Sequence, residues 1–113
     1  MPDRLSLPLR YRRQIETILR EHAPYAEVWA YGSRINGTSH EASDLDLALR
    51  APGLEPLPSF DFDNLRRAFQ ESNIPIIVQV HDWARLPASF HQEIERDHVT
   101  LLSPESAPVG ESE

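Results

Sequence analysis

Two aspartates with one residue between them, Asp44-Leu45-Asp46, are separated by ten residues from a glycine–serine pair, Gly32-Ser33. These are the residues whose types and spacing point to chemistry. On a strand, residues two apart project from one face, so both carboxylates point one way and Leu45 and Leu47 the other. Two carboxylates held side by side repel, and a site that keeps both ionised generally places a cation between them. Hard oxygen ligands of this kind suit Mg²⁺, which is often held by one or two protein carboxylates and substrate phosphates. Glycine lets a phosphate approach the backbone closely, and the Ser33 hydroxyl with nearby N–H groups can donate hydrogen bonds to it. A helix beginning within residues 34–38 would add a favourable field for the same anion. Taken singly, each feature is ordinary: an Asp-x-Asp is more often a solvated strand face, and a Gly-Ser pair more often a turn. Found together between two strands, they are much less often accidental.

The elements that must position these residues follow from periodicity. Tyr11, Ile15, Ile18, Leu19 and His22 recur at helical spacing, predicting a helix over residues 9–22 that Pro24 stops. Glu27-Val28-Trp29-Ala30-Tyr31 reads as a buried strand ending at Gly32. Residues 33–43 read as a turn with at most one short helix. Leu45, Leu47 and Leu49 then alternate with Asp44, Asp46 and Ala48, a half-buried strand. Residues 51–59 should be a loop, followed by a helix capped by Asp61 or Asp63 and running to about Ser72. A strand is expected within residues 74–83, with its strongest signal at Ile76-Ile77-Val78-Gln79-Val80. A helix from Pro87 to about Asp97 and a short strand over residues 99–102 complete the order. The expected class is α/β (α+β), with a small mixed sheet flanked by helices. Residues 1–102 form the expected domain, and 103–113, with two prolines and three glutamates, an expected disordered tail.

Composition narrows the chemistry. The 113 residues suit one domain, and 40% hydrophobic with 26% charged residues suits a globular chain rather than a disordered one. With no cysteine, the chain offers no disulfide, thiolate nucleophile or cysteine zinc site. All 11 basic residues are arginine, which removes the P-loop NTPases, ordinary protein kinases and Schiff-base mechanisms. A net charge of −7 argues against broad binding to a nucleic-acid backbone, and no direct nucleic-acid binding is expected. No apolar run approaches the ~20 residues of a membrane span, and no charged-then-apolar leader follows Met1, so a cytoplasmic location is expected.

At Gly32-Ser33-Arg34-Ile35-Asn36-Gly37 and Ser43-Asp44-Leu45-Asp46-Leu47 the sequence resembles the minimal nucleotidyltransferases of the DNA polymerase β-like superfamily. Their signature is a Gly-Ser pair, about ten residues, then Asp-x-Asp. The similarity in element order extends over residues 10–102. The resemblance implies the polymerase β-like nucleotidyltransferase fold and two-metal nucleotidyl transfer. Asp44 and Asp46 would be catalytic and hold two Mg²⁺ ions, one neutralising the triphosphate and leaving group, the other activating the attacking hydroxyl. Gly32 and Ser33 would cradle the phosphates of ATP or another NTP. Arg34 would add positive charge there, although an arginine beside a turn is as often a surface residue. Relatives of this length are often antitoxins paired with a helical HEPN ribonuclease toxin, and some transfer AMP from ATP to a tyrosine of that toxin. A homo- or hetero-oligomer would fit such a pairing.

The sequence departs from the family on the next strand. The third carboxylate position of the family falls on Gln79, whose neutral amide is a weaker ligand and no base. Asp82 is an odd number of positions away and should project from the opposite face. His81 shares the face of Gln79 and could bind a metal or accept a proton, although a histidine near a strand end is more often structural. His22, His40, His91 and His98 form no ligand-spaced set. Three readings remain open: a working transferase with a weakened second metal site, a nucleotide-binding antitoxin that transfers poorly and acts by complex formation, and a nucleotide-free interaction module. Trp83, Leu86, Phe90 and the loop over residues 51–58 suit an interface, but Trp83 and Phe90 are expected instead to pack the last helix onto the sheet.

Overall fold

A computed structural model describes residues 7–32, 35 and 44–104. Among the described residues, the main elements follow one another as α1 (Leu9–His22), β1 (Glu27–Tyr31), β2 (Leu45–Arg50), α2 (Ser59–Gln70), β3 (Val78–Asp82), α3 (Ala88–Arg96) and β4 (Val99–Leu102). The strands form one mixed sheet in the order β3-β2-β1-β4. β1 runs antiparallel to both β2 and β4, whereas β2 and β3 are parallel. The parallel pair is possible because α2 carries the chain back across the sheet between them.

Strand alternation divides the side chains between two cores. On one face Val28, Ala30, Leu45, Leu47 and Leu49 meet Ile15 and Leu19 of α1 and Leu65 and Phe69 of α2. A fully buried leucine or isoleucine contributes about 1.5–3 kcal/mol relative to exposure, so this row anchors β2 in its register. On the other face Trp29, Ala48, Trp83 and Ile94 form a smaller cluster under α3. The expected half-buried β2 is therefore covered on both faces at Ala48, and only its N-terminal part stays open.

Other boundaries differ from the expectation for identifiable reasons. Helix α2 starts at Ser59 behind Pro58 with no side-chain cap. Proline already sets a helix-compatible entry, and Asp61 instead accepts a hydrogen bond from the Tyr25 hydroxyl at 2.6 Å. Strand β3 begins at Val78 rather than near Ile74, because its β2 partner begins only at Leu45, the register mate of Val78. Trp83 opens a 3-10 turn, Trp83–Arg85, rather than ending the strand. The loop after β2 contains a 3-10 turn, Pro52–Leu54. Trp83 does pack α3 onto the sheet, but Phe90 faces outward with 49% of its surface exposed. The possible short helix within residues 33–43 and the tail beyond Pro104 lie outside the described residues.

Candidate active site

The carboxylates stand where β2 emerges from its two covered stretches. Asp46 lies between Gln79 of β3 and Tyr31 of β1, its register partners on either side. Period-two alternation therefore places Asp44, Asp46, Gln79, His81 and Tyr31 on one face of the sheet. The Gln79 amide donates to Asp44 Oδ2 at 2.6 Å. His81 Nε2 lies 3.7 Å from Asp46 Oδ1. The parity argument thus holds for all four polar positions read from the sequence.

Asp82 is on the opposite face, 5% exposed. Its carboxylate accepts from the backbone N–H of Leu57 at 2.9 Å and of Ala84 at 3.2 Å. Arg85 Nε lies 3.4 Å away. Asp82 is a structural acid that ties the loop after β2 to the end of β3, and it takes no part in the open face.

Gly32 follows Tyr31 at φ +92°, a conformation that disfavours any side chain. A Cβ there would also lie 3.0 Å from Asp46 Oδ2. The missing side chain leaves the backbone of the turn open to a ligand beside the carboxylates. Gly32→Ala is expected to cost about 1–2 kcal/mol in a urea melt through the left-handed backbone alone, and to weaken cation binding by displacing Asp46. Ser33 and Arg34 lie outside the described residues.

Tyr31 was not singled out by sequence reasoning, although its position two residues after Trp29 and just before Gly32 was the available signal. Burial, then the charge of Asp46, pushes its hydroxyl up from 10.0 to about 12. The folded state thus keeps a proton that the unfolded chain loses. Its contribution to stability is complete below pH 10 and is lost as pH rises towards 12. Tyr25 is shifted in the same direction, by burial and then by Asp61. Urea midpoints measured across this window should fall with pH, and Tyr31→Phe should flatten part of that fall.

The remaining histidines of α3 and its C-terminal side are structural. His91 stacks on Trp83 at 4.0 Å with its Nε2 2.6 Å from the Trp83 carbonyl. His98 stacks on Trp29 at 3.7 Å. Among the described residues, no group of three or more His, Cys, Asp or Glu converges on a metal position. Asp44 and Asp46, with the bare backbone of Gly32 beside them, fit a divalent cation bound partly by the protein and partly by phosphate oxygens.

This fold, with paired carboxylates beside a glycine turn, defines a nucleotidyltransferase of the polymerase β type. Residues 13–107 match the family described as "Polymerase beta, Nucleotidyltransferase", and the chain belongs to it. It is 38% identical over 91 residues to MntA of Haemophilus influenzae (strain ATCC 51907 / DSM 11121 / KW20 / Rd), named a probable protein adenylyltransferase. That alignment covers 80% of this chain and 78% of the relative. An adenylyltransferase-like enzyme is the class these similarities define. Its fold is also that of a chain in a crystal structure of a toxin–antitoxin complex with AMP-PNP, with TM-score 0.67, 22% identity and coverage of 83% and 74% of the two chains. A mutant MntA–HpeT toxin–antitoxin complex is similar at TM-score 0.66, 20% identity and the same 83% and 74% coverage.

Proposed function

We propose that this protein transfers AMP from ATP to a hydroxyl of a partner protein, acting as the antitoxin of a toxin–antitoxin pair. The observation that carries this reading is the placement of Asp44 and Asp46 on one open sheet face beside the bare backbone of Gly32, in a chain related to one named a probable protein adenylyltransferase. The partner is a HEPN-family toxin and the acceptor its tyrosine. The acceptor oxygen forms a bond to the α-phosphorus of ATP, the bond from that phosphorus to the pyrophosphate oxygen breaks, and the hydroxyl proton passes to solvent or a nearby base.

Each residue has a part in this step. Gly32 and Ser33 receive the phosphates, and Arg34 adds positive charge beside them. Asp44 and Asp46 would hold Mg²⁺, which would supply positive charge to the phosphates and lower the pKa of the attacking hydroxyl. Gln79 orients Asp44 through its amide, and His81 flanks Asp46. The reaction class fits a cytoplasmic location, and no helix among the described residues is long and apolar enough to cross a membrane.

The contact between Gln79 and Asp44 also favours a second reading, an antitoxin that binds nucleotide but transfers slowly and acts by complex formation. A neutral amide stands where a third carboxylate would add affinity for the cation, and its N–H occupies an oxygen of Asp44. Gln79→Asp separates the two readings. If the amide limits catalysis, the variant should bind Mg²⁺ about tenfold more tightly by calorimetry and transfer AMP faster. A brisk wild-type rate that the variant does not improve would show the third carboxylate to be dispensable. Absence of Mg²⁺-dependent ATP binding to the folded protein would remove both readings.

A further inference from the structure

Among the described residues, strand β3 is an edge strand, paired with β2 alone. The Leu45 N–H donates to the Ile77 carbonyl at 2.9 Å, one residue before its register mate Val78. In a parallel ladder this turns the backbone groups of Ile77, Gln79 and His81 towards β2 and those of Val78 and Val80 outward. Such an edge is a template for another strand, and proteins commonly blunt it with lysine, proline or a bulge. The opposite edge has such an irregularity, a register shift of β4 against β1. β3 pairs without a shift, and Ile77 at its entrance is 64% exposed.

Beside this edge runs a groove of about 570 Å³, bounded by Phe62 and Arg66 of α2 and by Arg85 and Leu86 beyond the strand. Its charges run against the protein as a whole, whose net charge is −7. Arg66 lies over the Phe62 ring at 5.9 Å and Arg85 is 66% exposed. The carboxylate of Asp82, the acid among the groove's described lining residues, is buried, held by two backbone N–H groups and paired with Arg85 at 3.4 Å, which leaves Arg66 as the groove's uncompensated charge. Gln79 and His81 line the groove and also face Asp44 and Asp46, so the groove runs into the candidate site.

We propose that the free edge of β3 docks the acceptor as an added strand: an extended, acidic segment of the partner protein that pairs with Val78–Asp82 and lays its hydroxyl-bearing side chain over Gln79 towards Asp44 and Asp46. The inference rests on the transfer reading and names how its substrate is held. Main-chain hydrogen bonds at Val78 and Val80 supply register, and Arg66, beside the exposed Arg85 that Asp82 balances, selects negative charge. An added strand lies about two inter-strand spacings, roughly 9–10 Å, from β2. That span suits a long side chain such as tyrosine and is too great for serine.

The test uses the full chain and three end-blocked peptides: Glu-Val-Tyr-Val-Glu, Arg-Val-Tyr-Val-Arg, and the acidic peptide with its valines N-methylated. Amide chemical shifts are followed during titration. The acidic peptide should shift the amides of Val78, Gln79 and Val80 and bind at least fivefold more tightly than the basic one. N-methylation should abolish binding, and Arg66→Glu, on an exposed helix surface, should reverse the charge preference. No binding at millimolar peptide, shifts centred elsewhere, or indifference to N-methylation would overturn the proposal. It is also overturned if the β3 amides shift on dilution of the chain alone, because a second copy then occupies the edge. Calorimetry of Mg²⁺–ATP on the same samples separates the two ideas: loss of nucleotide binding sinks the transfer reading, while loss of peptide binding alone sinks the docking strand.

Discussion

Replacing Asp46 by Asn should lower AMP transfer about a thousandfold while leaving the protein folded. Asp46 is central to the open face, between Gln79 and Tyr31 in register and 3.7 Å from His81. On the proposed reaction, the substitution keeps its shape and removes the charge that would hold a cation on the triphosphate. A thousandfold loss corresponds to about 4 kcal/mol of transition-state stabilisation, the scale of deleting one preorganised electrostatic group from an active site. Calorimetry should show Mg²⁺-dependent ATP binding weakened in parallel. The thermal midpoint should move little, because the side chain packs no core. Tyr31, released from one of the two causes that raise it, should titrate at a lower pH than in the wild type. Asp82→Asn is the matched control. It should lower stability, because its carboxylate accepts two backbone N–H groups, yet leave the rate per folded molecule unchanged. Undiminished transfer by Asp46→Asn would end the carboxylate mechanism.

Trp83→Ala should have the largest effect on stability, about 3–5 kcal/mol. Trp83 is 3% exposed, meets Trp29 edge-on at 5.4 Å and is stacked by His91. The Arg50 guanidinium lies 4.9 Å from its ring centre and 4.0 Å from that of Trp29. Arg50 is also bonded to Glu27 at 3.1 Å, and Glu27 accepts from the Trp29 indole at 2.9 Å. Removing one ring leaves a cavity and undoes stacking and cation–π contacts together. Domains have about 5–15 kcal/mol in total, so this loss is a large fraction of the whole. Each kcal/mol moves the midpoint by about 4–8 °C in a domain of roughly this size, so circular-dichroism melts should show a drop above 10 °C. Phe60→Ala, at a side chain 77% exposed, should change it by less than about 0.5 kcal/mol.

Much of this site is legible in the sequence. Helix α1 and strands β1 and β4 occupy the expected residues: α1 repeats against one dominant core, and β1, buried on both faces, is marked by its aromatic and β-branched residues. Parity alone places Asp82 opposite Gln79 and His81, since a strand side chain has only two directions to take; the β2–β3 register brings Asp44 and Asp46 onto the Gln79 face. The misjudged features depend on neighbours distant in sequence. Phe90 was expected inside because it is apolar, but Ile94 and Trp83 already fill the space under α3. Asp61 was expected to cap α2, but Tyr25, 36 residues away, claims its carboxylate.

Residue order alone sets the succession of elements, the paired carboxylates behind a glycine turn and the absence of a third acid at Gln79. These are properties of spacing and residue type, which local geometry converts directly into direction. Only the tertiary structure decided that Gln79 would bond Asp44, that Tyr31 would be shielded beside Asp46, and that β3 would be left as an open edge next to the site. Each of those depends on which strands become neighbours and in what register. The packed leucines of β2 settle that register by the apolar area they remove from water, across a distance no local pattern spans.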